Sequence, residues 1–131
     1  MKQYQNLGQE IKKYAEGNLS IDINNIFKMI GNTAEGHKMF FEKNNLNFTL
    51  NRSTLISILE SYIKDKYSKN QLQEWGRYIF NFLPIDYKDD DIMIAEVVEL
   101  LYCIGEPGEG EFTKKTALNL IKRLGEESIR T

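Results

Sequence analysis

The sequence is poor in the residues on which chemical reactivity and metal binding most often depend. It has one cysteine, Cys103, and one histidine, His37, among 131 residues. A single cysteine excludes an intramolecular disulfide and a zinc site built from several cysteines. The glycine-rich phosphate-binding motifs and the spaced aspartates of a calcium-binding loop are also missing. We therefore predict that the protein is not an enzyme, has no catalytic residues, and uses no cofactor or metal.

Proline, glycine and long apolar runs are scarce as well. Two prolines and nine glycines are too few for a linker-rich or disordered chain. The longest runs without a charged residue, 44–51 and 78–85, have eight residues each, far fewer than the about 20 needed to cross a bilayer. Charged residues throughout the first thirty positions exclude a signal peptide. We expect one cytoplasmic domain, residues 1–131, with no membrane contact.

Apolar residues recur at helical spacing along almost the whole chain. Ser20, Ser68 and Thr113 are predicted to cap three helices, and Ser68 and Gln71 form the pattern of a capping box. The pattern predicts an all-α fold, a compact single-domain bundle of about six helices. The predicted helical segments, defined by their apolar stripes, are 4–14, 23–30, 55–63, 72–82, 94–101 and 117–124.

Residues 32–50 have the least regular pattern. They suggest a short helix followed by a loop, with His37 at the helix start or on the surface. Leu46, Phe48 and Leu50 alternate with polar residues as in a β-strand. Because one short strand has no evident partner, we expect an extended segment anchored by its apolar side chains.

Charge is distributed unevenly. Residues 1–70 contain ten basic and seven acidic residues, whereas residues 71–131 contain seven basic and twelve acidic ones. Residues 86–111 alone contain nine acids and a single base, Lys88, which gives a net charge of −8. A solvated acidic surface that aids solubility is the simplest explanation. However, clustered like charges repel each other and do not stabilise a fold.

The acids lie at both ends of one predicted helix, and Glu96 and Glu99 are one turn apart on its outer face. Such a surface attracts a basic partner and speeds association, and Tyr87 and Tyr102 offer aromatic anchors. An acidic face on a domain without catalytic motifs resembles a phosphate backbone, so we predict that it occupies the basic cleft of a nuclease. The predicted partner-binding residues are Asp86, Tyr87, Asp89, Asp90, Asp91, Glu96, Glu99, Glu106, Glu109 and Glu111.

Several segments together resemble a known protein family. Residues 71–124 contain an L-x-x-W helix, an Asp-rich turn, the helix I-x-E-V-V-E-L-L, the loop E-P-x-E-G and the helix T-K-K-T-A-L-N-L-I-K-R-L. Residues 4–30 add a helix, the sequence G-N-L-S and a second helix. Over about two-thirds of its length the chain thus resembles the bacterial colicin-like immunity proteins, which include those acting on contact-dependent growth inhibition toxins.

The resemblance implies a helical cytoplasmic protein that neutralises one cognate toxin, often a tRNA-cleaving nuclease, by covering its active site. We also expect a monomer that binds its toxin one to one and does not bind nucleic acid directly. The acidic residues named above come from the charge distribution and not from the family. Trp75, the family-like tryptophan, is expected in the core.

Two other functions compete with this interpretation. The protein could be a helical adaptor or regulatory subunit whose acidic face binds a basic protein without inhibiting an enzyme. It could also be a small enzyme whose clustered carboxylates hold a metal ion. A helix-turn-helix DNA-binding protein is disfavoured, because the acidic segment would then face phosphates.

Overall fold

Seven α-helices and one short parallel sheet make up the part of the chain that the computed structural model describes, residues 2–106, 108 and 110–127. The predicted all-α class is confirmed. In chain order the elements are α1 (Lys2–Ala15), α2 (Ile23–Ile30), α3 (Ala34–Lys43), β1 (Thr49–Leu50), α4 (Arg52–Ile63), α5 (Lys69–Asn81), β2 (Asp86–Tyr87), α6 (Ile92–Tyr102) and α7 (Lys114–Glu127).

Two helix pairs dominate the packing: α5 lies against α6, and α4 lies against α7. Their apolar stripes meet in one buried cluster that also includes residues of α1, α2 and α3. Trp75 of α5 is fully buried, and its indole N–H donates to the carbonyl oxygen of Tyr14 at 3.0 Å. The prediction that Trp75 belongs to the core is therefore confirmed, and its one polar atom is satisfied by α1.

Several helix ends lie where the sequence predicts them. The backbone N–H of Gln71 donates to the Ser68 hydroxyl, and the Gln71 side chain accepts from the Ser68 N–H, which completes the capping box before α5. Thr113 caps α7 in a similar way, since its hydroxyl accepts from the N–H of Thr116. Gly17 has φ +110° just after α1, a conformation that favours glycine at a helix end.

The predicted N-cap of α2 is wrong by two residues. Asp22, not Ser20, precedes the helix, and its carboxylate accepts from the N–H of Asn24 at 2.9 Å. Ser20 instead lies in the preceding turn, where its N–H donates to the side chain of Asn18. Both residue types make good N-caps, so the local sequence does not decide between them.

The segment 32–50 contains a complete helix, α3, and then the strand β1. The expectation that this strand has no partner is wrong: β1 pairs in parallel with β2, with Thr49 opposite Asp86 and Leu50 opposite Tyr87. The strand β2 lies inside the acidic stretch, where the sequence suggested only a loop. The two-residue ladder holds the chain just before α4 beside the chain leading to α6.

His37 is buried, with only 1% of its surface exposed, contrary to the expectation of a surface or helix-start position. Its Nε2 is 2.7 Å from the carbonyl oxygen of Gly31, and its Nδ1 is 2.8 Å from the hydroxyl of Tyr78. Because a carbonyl only accepts, Nε2 carries the proton and the Tyr78 hydroxyl donates to Nδ1. The neutral ring thus connects the end of α2 to α3 and α5.

Acidification is expected to destabilise the protein through this histidine. Burial lowers the pKa of His37 below its ordinary value of 6.5, against a smaller opposing effect of the Gly31 hydrogen bond. Below pH 6.5 the unfolded chain therefore binds a proton that the folded chain resists, and stability falls as the pH falls. Urea unfolding between pH 7 and pH 5.5 measures this change.

The matched variant is His37→Gln, which removes the only histidine of the chain. It should be less stable at pH 7, because the Tyr78 hydroxyl loses its acceptor, but its stability should change little over the same pH range. An equal loss of stability on acidification in both proteins would contradict the assignment.

The crossing of α5 and α6 depends on a glycine. A Cβ added at Gly76 would lie 2.8 Å from the backbone nitrogen of Tyr102 and 3.1 Å from the carbonyl oxygen of Val98. These are backbone atoms of α6, so they cannot move aside without shifting the helix.

We expect Gly76→Ala to lower the free energy of unfolding by about 1–3 kcal/mol, as overpacking in a core does. Gly125→Ala is the control, because its added Cβ meets nothing within 4 Å. In helix α7 that change should leave stability unchanged or raise it by up to about 1 kcal/mol. Chemical denaturation of both variants measures the difference, and similar values for the two would exclude a tight crossing at Gly76.

Candidate functional site

The acidic stretch begins with a tight turn between β2 and α6. The N–H of Asp91 donates to the carbonyl oxygen of Lys88 at 3.1 Å, and Asp89 and Asp90 have φ of 57° and 52°. Left-handed backbone at two successive residues is typical of a type I′ turn, in which Asp and Asn are among the few tolerated residues. The sequence D-D therefore suits this turn, and both side chains are exposed.

Asp91 differs from its neighbours because its carboxylate is used inside the fold. The Arg52 guanidinium binds the Asp91 carboxylate in a bidentate manner: Nη2 donates to Oδ1 at 3.0 Å and Nε donates to Oδ2. Asp91 also caps α6 by accepting from the N–H of Met93 at 3.0 Å. Its side chain is only 21% exposed. The hydrogen bonds from Arg52 hold the pKa of Asp91 below its ordinary value.

Arg52 itself connects three helices. It is the first residue of α4, it binds the N-cap of α6, and its Nη1 donates to the carbonyl oxygen of Leu124 in α7 at 2.8 Å. The sequence places Asp91 in the acidic cluster but does not indicate this partner. No local pattern could have revealed it, because Arg52 and Asp91 are 39 positions apart.

Helix α6 separates the two acidic clusters and carries two acids of its own. Glu96 and Glu99 are exposed on the side opposite the core, as predicted. Ile92, 72% exposed, and Leu100 accompany them on this outer surface. Eleven residues span about 16 Å, so the clusters lie at opposite ends of a helix about three turns long. The core face consists of Met93, Ile94, Val97, Val98 and Leu101.

The second cluster follows α6. Glu106 and Glu111 are exposed, and Glu111 lies 3.7 Å from the ammonium group of Lys69, which is also exposed. Such an exposed ion pair contributes little to stability. Glu109, also predicted to bind a partner, lies outside the described residues. An open groove of about 500 Å³ separates this loop from the start of α5, and Glu106 and Glu111 line it together with Lys69.

Aromatic side chains lie next to the acids, although Tyr87 is less available than expected. Tyr87 is half-buried against the core, and burial raises the pKa of its phenol. Tyr102 is half-buried as well, and its ring lies 5.6 Å from that of Phe80. Phe80 is 45% exposed and was not identified from the sequence. Phe80 lies outside the apolar stripe of α5, and this position in the sequence could have indicated that its ring is exposed.

Most of the acids in this region have no internal counter-charge. Within the described ranges, the only acids of the stretch that form salt bridges are Asp91, with Arg52, and Glu111, with Lys69. Together with the excess of acids over bases in residues 86–111, this gives the surface of α6 and its flanking segments an excess of negative charge. The exposed acids that form no salt bridge with another described residue are Asp86, Asp89, Asp90, Glu96, Glu99 and Glu106.

The described positions include no group of three His, Cys, Asp or Glu side chains arranged to hold a metal ion. None of the helices, as far as the structure describes them, combines the length and apolar character needed to cross a membrane.

Comparison with protein-family models, curated proteins and solved structures found no significant match. The function is therefore inferred from the geometry of the acidic surface.

Asp91→Asn should destabilise the fold, whereas Asp89→Asn and Asp90→Asn should not. Asparagine still caps α6 but removes the carboxylate that accepts two hydrogen bonds from Arg52, so we expect a loss of about 1–3 kcal/mol in the free energy of unfolding at neutral pH. The two controls remove the same charge at exposed turn positions, where the change should stay within about 0.5 kcal/mol. Thermal and urea unfolding provide the measurement.

The pH dependence gives an independent check. Because the pKa of Asp91 is lowered in the folded state, its contribution is complete above its ordinary value of 3.8 and disappears as the pH falls below it. Wild-type protein should therefore lose more stability than Asp91→Asn between pH 5 and pH 2.5. Equal losses would show that the ion pair does not stabilise the fold.

Proposed function

We propose that this protein is an immunity protein that neutralises the toxic domain of a cognate bacterial toxin. The toxic domain is a nuclease, with tRNA as the expected substrate, and the immunity protein occludes its basic active-site cleft. The observation that carries the proposal is the acidic surface of α6 and its flanking segments, in which six exposed carboxylates have no salt bridge to a described residue. The resemblance of residues 4–30 and 71–124 to colicin-like immunity proteins supports it.

The charge argument is physical. A nuclease must hold phosphates with lysine and arginine, so its cleft is positively charged. The exposed carboxylates on this protein have the opposite sign: Glu96 and Glu99 lie on α6, and the other four lie in the segments that flank it. Complementary surfaces of this kind raise the rate of association and penalise partners of the wrong charge.

Affinity needs more than charge, because desolvating an ion pair offsets much of its attraction. Apolar and aromatic groups within an interface usually supply the larger contribution. Ile92 and Leu100 on α6 and Phe80 on α5 are exposed large apolar side chains near the acids. Binding should therefore persist at high salt, while association slows.

The decisive experiment is co-expression with the candidate toxin domain encoded beside the gene. We expect rescue of growth, a one-to-one complex and intact tRNA. Rescue from a toxin that leaves tRNA intact even in its free form would retain immunity but overturn the nuclease assignment. A domain that is not toxic yet forms a complex would support the adaptor instead.

The variant Glu96→Lys/Glu99→Lys tests the acidic surface directly. Both positions are exposed on a helix, so lysine should not disturb the fold, whereas lysine at Asp89 or Asp90 would meet left-handed backbone. We expect association with the toxin domain to slow by about 10- to 100-fold at low salt, with a smaller effect at high salt. Stopped-flow association kinetics measure both.

Glu10→Lys/Glu16→Lys is the matched control, since it makes the same charge change at exposed positions in and just after α1. It should slow association much less. If both variants bind at the same rate, net charge rather than this surface determines association.

A further inference from the structure

A groove beside the acidic turn is lined mainly by residues to which the sequence assigns no function, and Asp86 is the exception. It has a volume of about 410 Å³, within the range of ligand-binding clefts. It lies between the segment that follows α3 and the chain leading into β2. Its lining includes Phe41, Glu42, Leu46, Phe48, Pro84 and Asp86.

The fold brings these distant segments together in two steps. Asn45 has φ of 53° and its N–H donates to the carbonyl oxygen of Glu42, which ends α3 and leads the chain into an extended segment. This segment continues into β1, where Thr49 lies opposite Asp86 in the parallel ladder. Glu42 and Asp86 thus line the same groove although they are far apart in sequence.

The groove has apolar walls and charge of one sign only. Phe41 is buried, whereas Leu46 and Phe48 are half-buried and present part of their surface. Glu42 and Asp86 are exposed, and neither forms a salt bridge with another described residue. No lysine, arginine or histidine is among the described side chains that line it.

We propose that this groove binds an arginine side chain of a protein partner. The aliphatic part of arginine suits the apolar walls, and its guanidinium complements the two carboxylates. Arginine fits better than lysine because its planar, weakly hydrated group also stacks on aromatic rings. The identification of the partner as the toxin domain rests on the proposed function, whereas the chemistry of the groove does not.

A titration of isotope-labelled full-length protein with the peptide acetyl-Gly-Arg-Gly-amide tests the inference without any toxin. We expect saturable NMR shifts of backbone amides in residues 41–49 and 85–86. Glu42→Gln/Asp86→Asn should raise the dissociation constant about fivefold, since exposed ion pairs contribute modestly. The lysine peptide should bind more weakly than the arginine peptide, and a leucine peptide should produce no saturable shifts there.

Glu10→Gln/Glu16→Gln changes the net charge equally at exposed positions that do not line the groove, and it should alter the dissociation constant less than about twofold. Equal weakening by both variants, shifts confined to other residues, or equal binding of the leucine peptide would overturn the proposal. Localised binding of the arginine peptide by a protein that fails the co-expression test would retain the groove and overturn the proposed function. Failure of the peptide titration alone overturns only the proposal that the groove binds arginine, and it leaves the co-expression result unaffected.

Discussion

The ion pair between Arg52 and Asp91 holds the beginning of α6 in place. The arginine at the first residue of α4 places a positive side chain beside the partial positive charge of the helix N-terminus, which is unfavourable. The Asp91 carboxylate compensates for both the guanidinium and the dipole, and it caps α6 at the same time. Because Arg52 also donates to the carbonyl of Leu124, one side chain connects α4, α6 and α7. The adjacent β-ladder fixes the chain on the other side of the acidic turn.

This arrangement divides the acids into two groups. Asp91 is held inside the fold, whereas Asp89 and Asp90 remain exposed next to it on a turn whose two ends are fixed. Glu96 and Glu99 extend the charge along a helix anchored by an almost entirely apolar core face. Charges on rigid elements lose little conformational entropy on binding, which favours recognition of a partner with matching geometry. The proposed binding to a basic cleft depends on this preorganisation.

The sequence predicts those features that depend on neighbouring residues. The capping box at Ser68 and Gln71 and the buried position of Trp75 follow from local pattern and helical periodicity, and both are confirmed. The parallel pairing of β1 with β2 does not follow, because two-residue strands leave no periodic signal and their partner lies beyond two helices. The misplaced cap of α2 shows that similar capping residues two positions apart cannot be distinguished locally.

The candidate site likewise has features that follow from the local sequence and features that depend on the tertiary fold. The exposure of Glu96 and Glu99 follows from helix geometry, whereas the internal role of Asp91 depends on Arg52, which only the folded chain brings near. His37 illustrates the limit most clearly. A lone histidine beside a glycine has no apolar pattern, and only the tertiary positions of Gly31 and Tyr78 give both ring nitrogens a partner.

The parallel ladder has a consequence for how the protein folds. Thr49 meets Asp86 only after the intervening chain, which contains α4 and α5, has been gathered into a closed loop. Contacts between residues so far apart cost more loop-closure entropy than contacts within a helix, and they form more slowly. The acidic turn and the groove beside it should therefore be completed late in folding, after the local helices. A partially folded chain would then contain helices but lack the complete binding surface. A partner would therefore bind only chains that have reached the native topology.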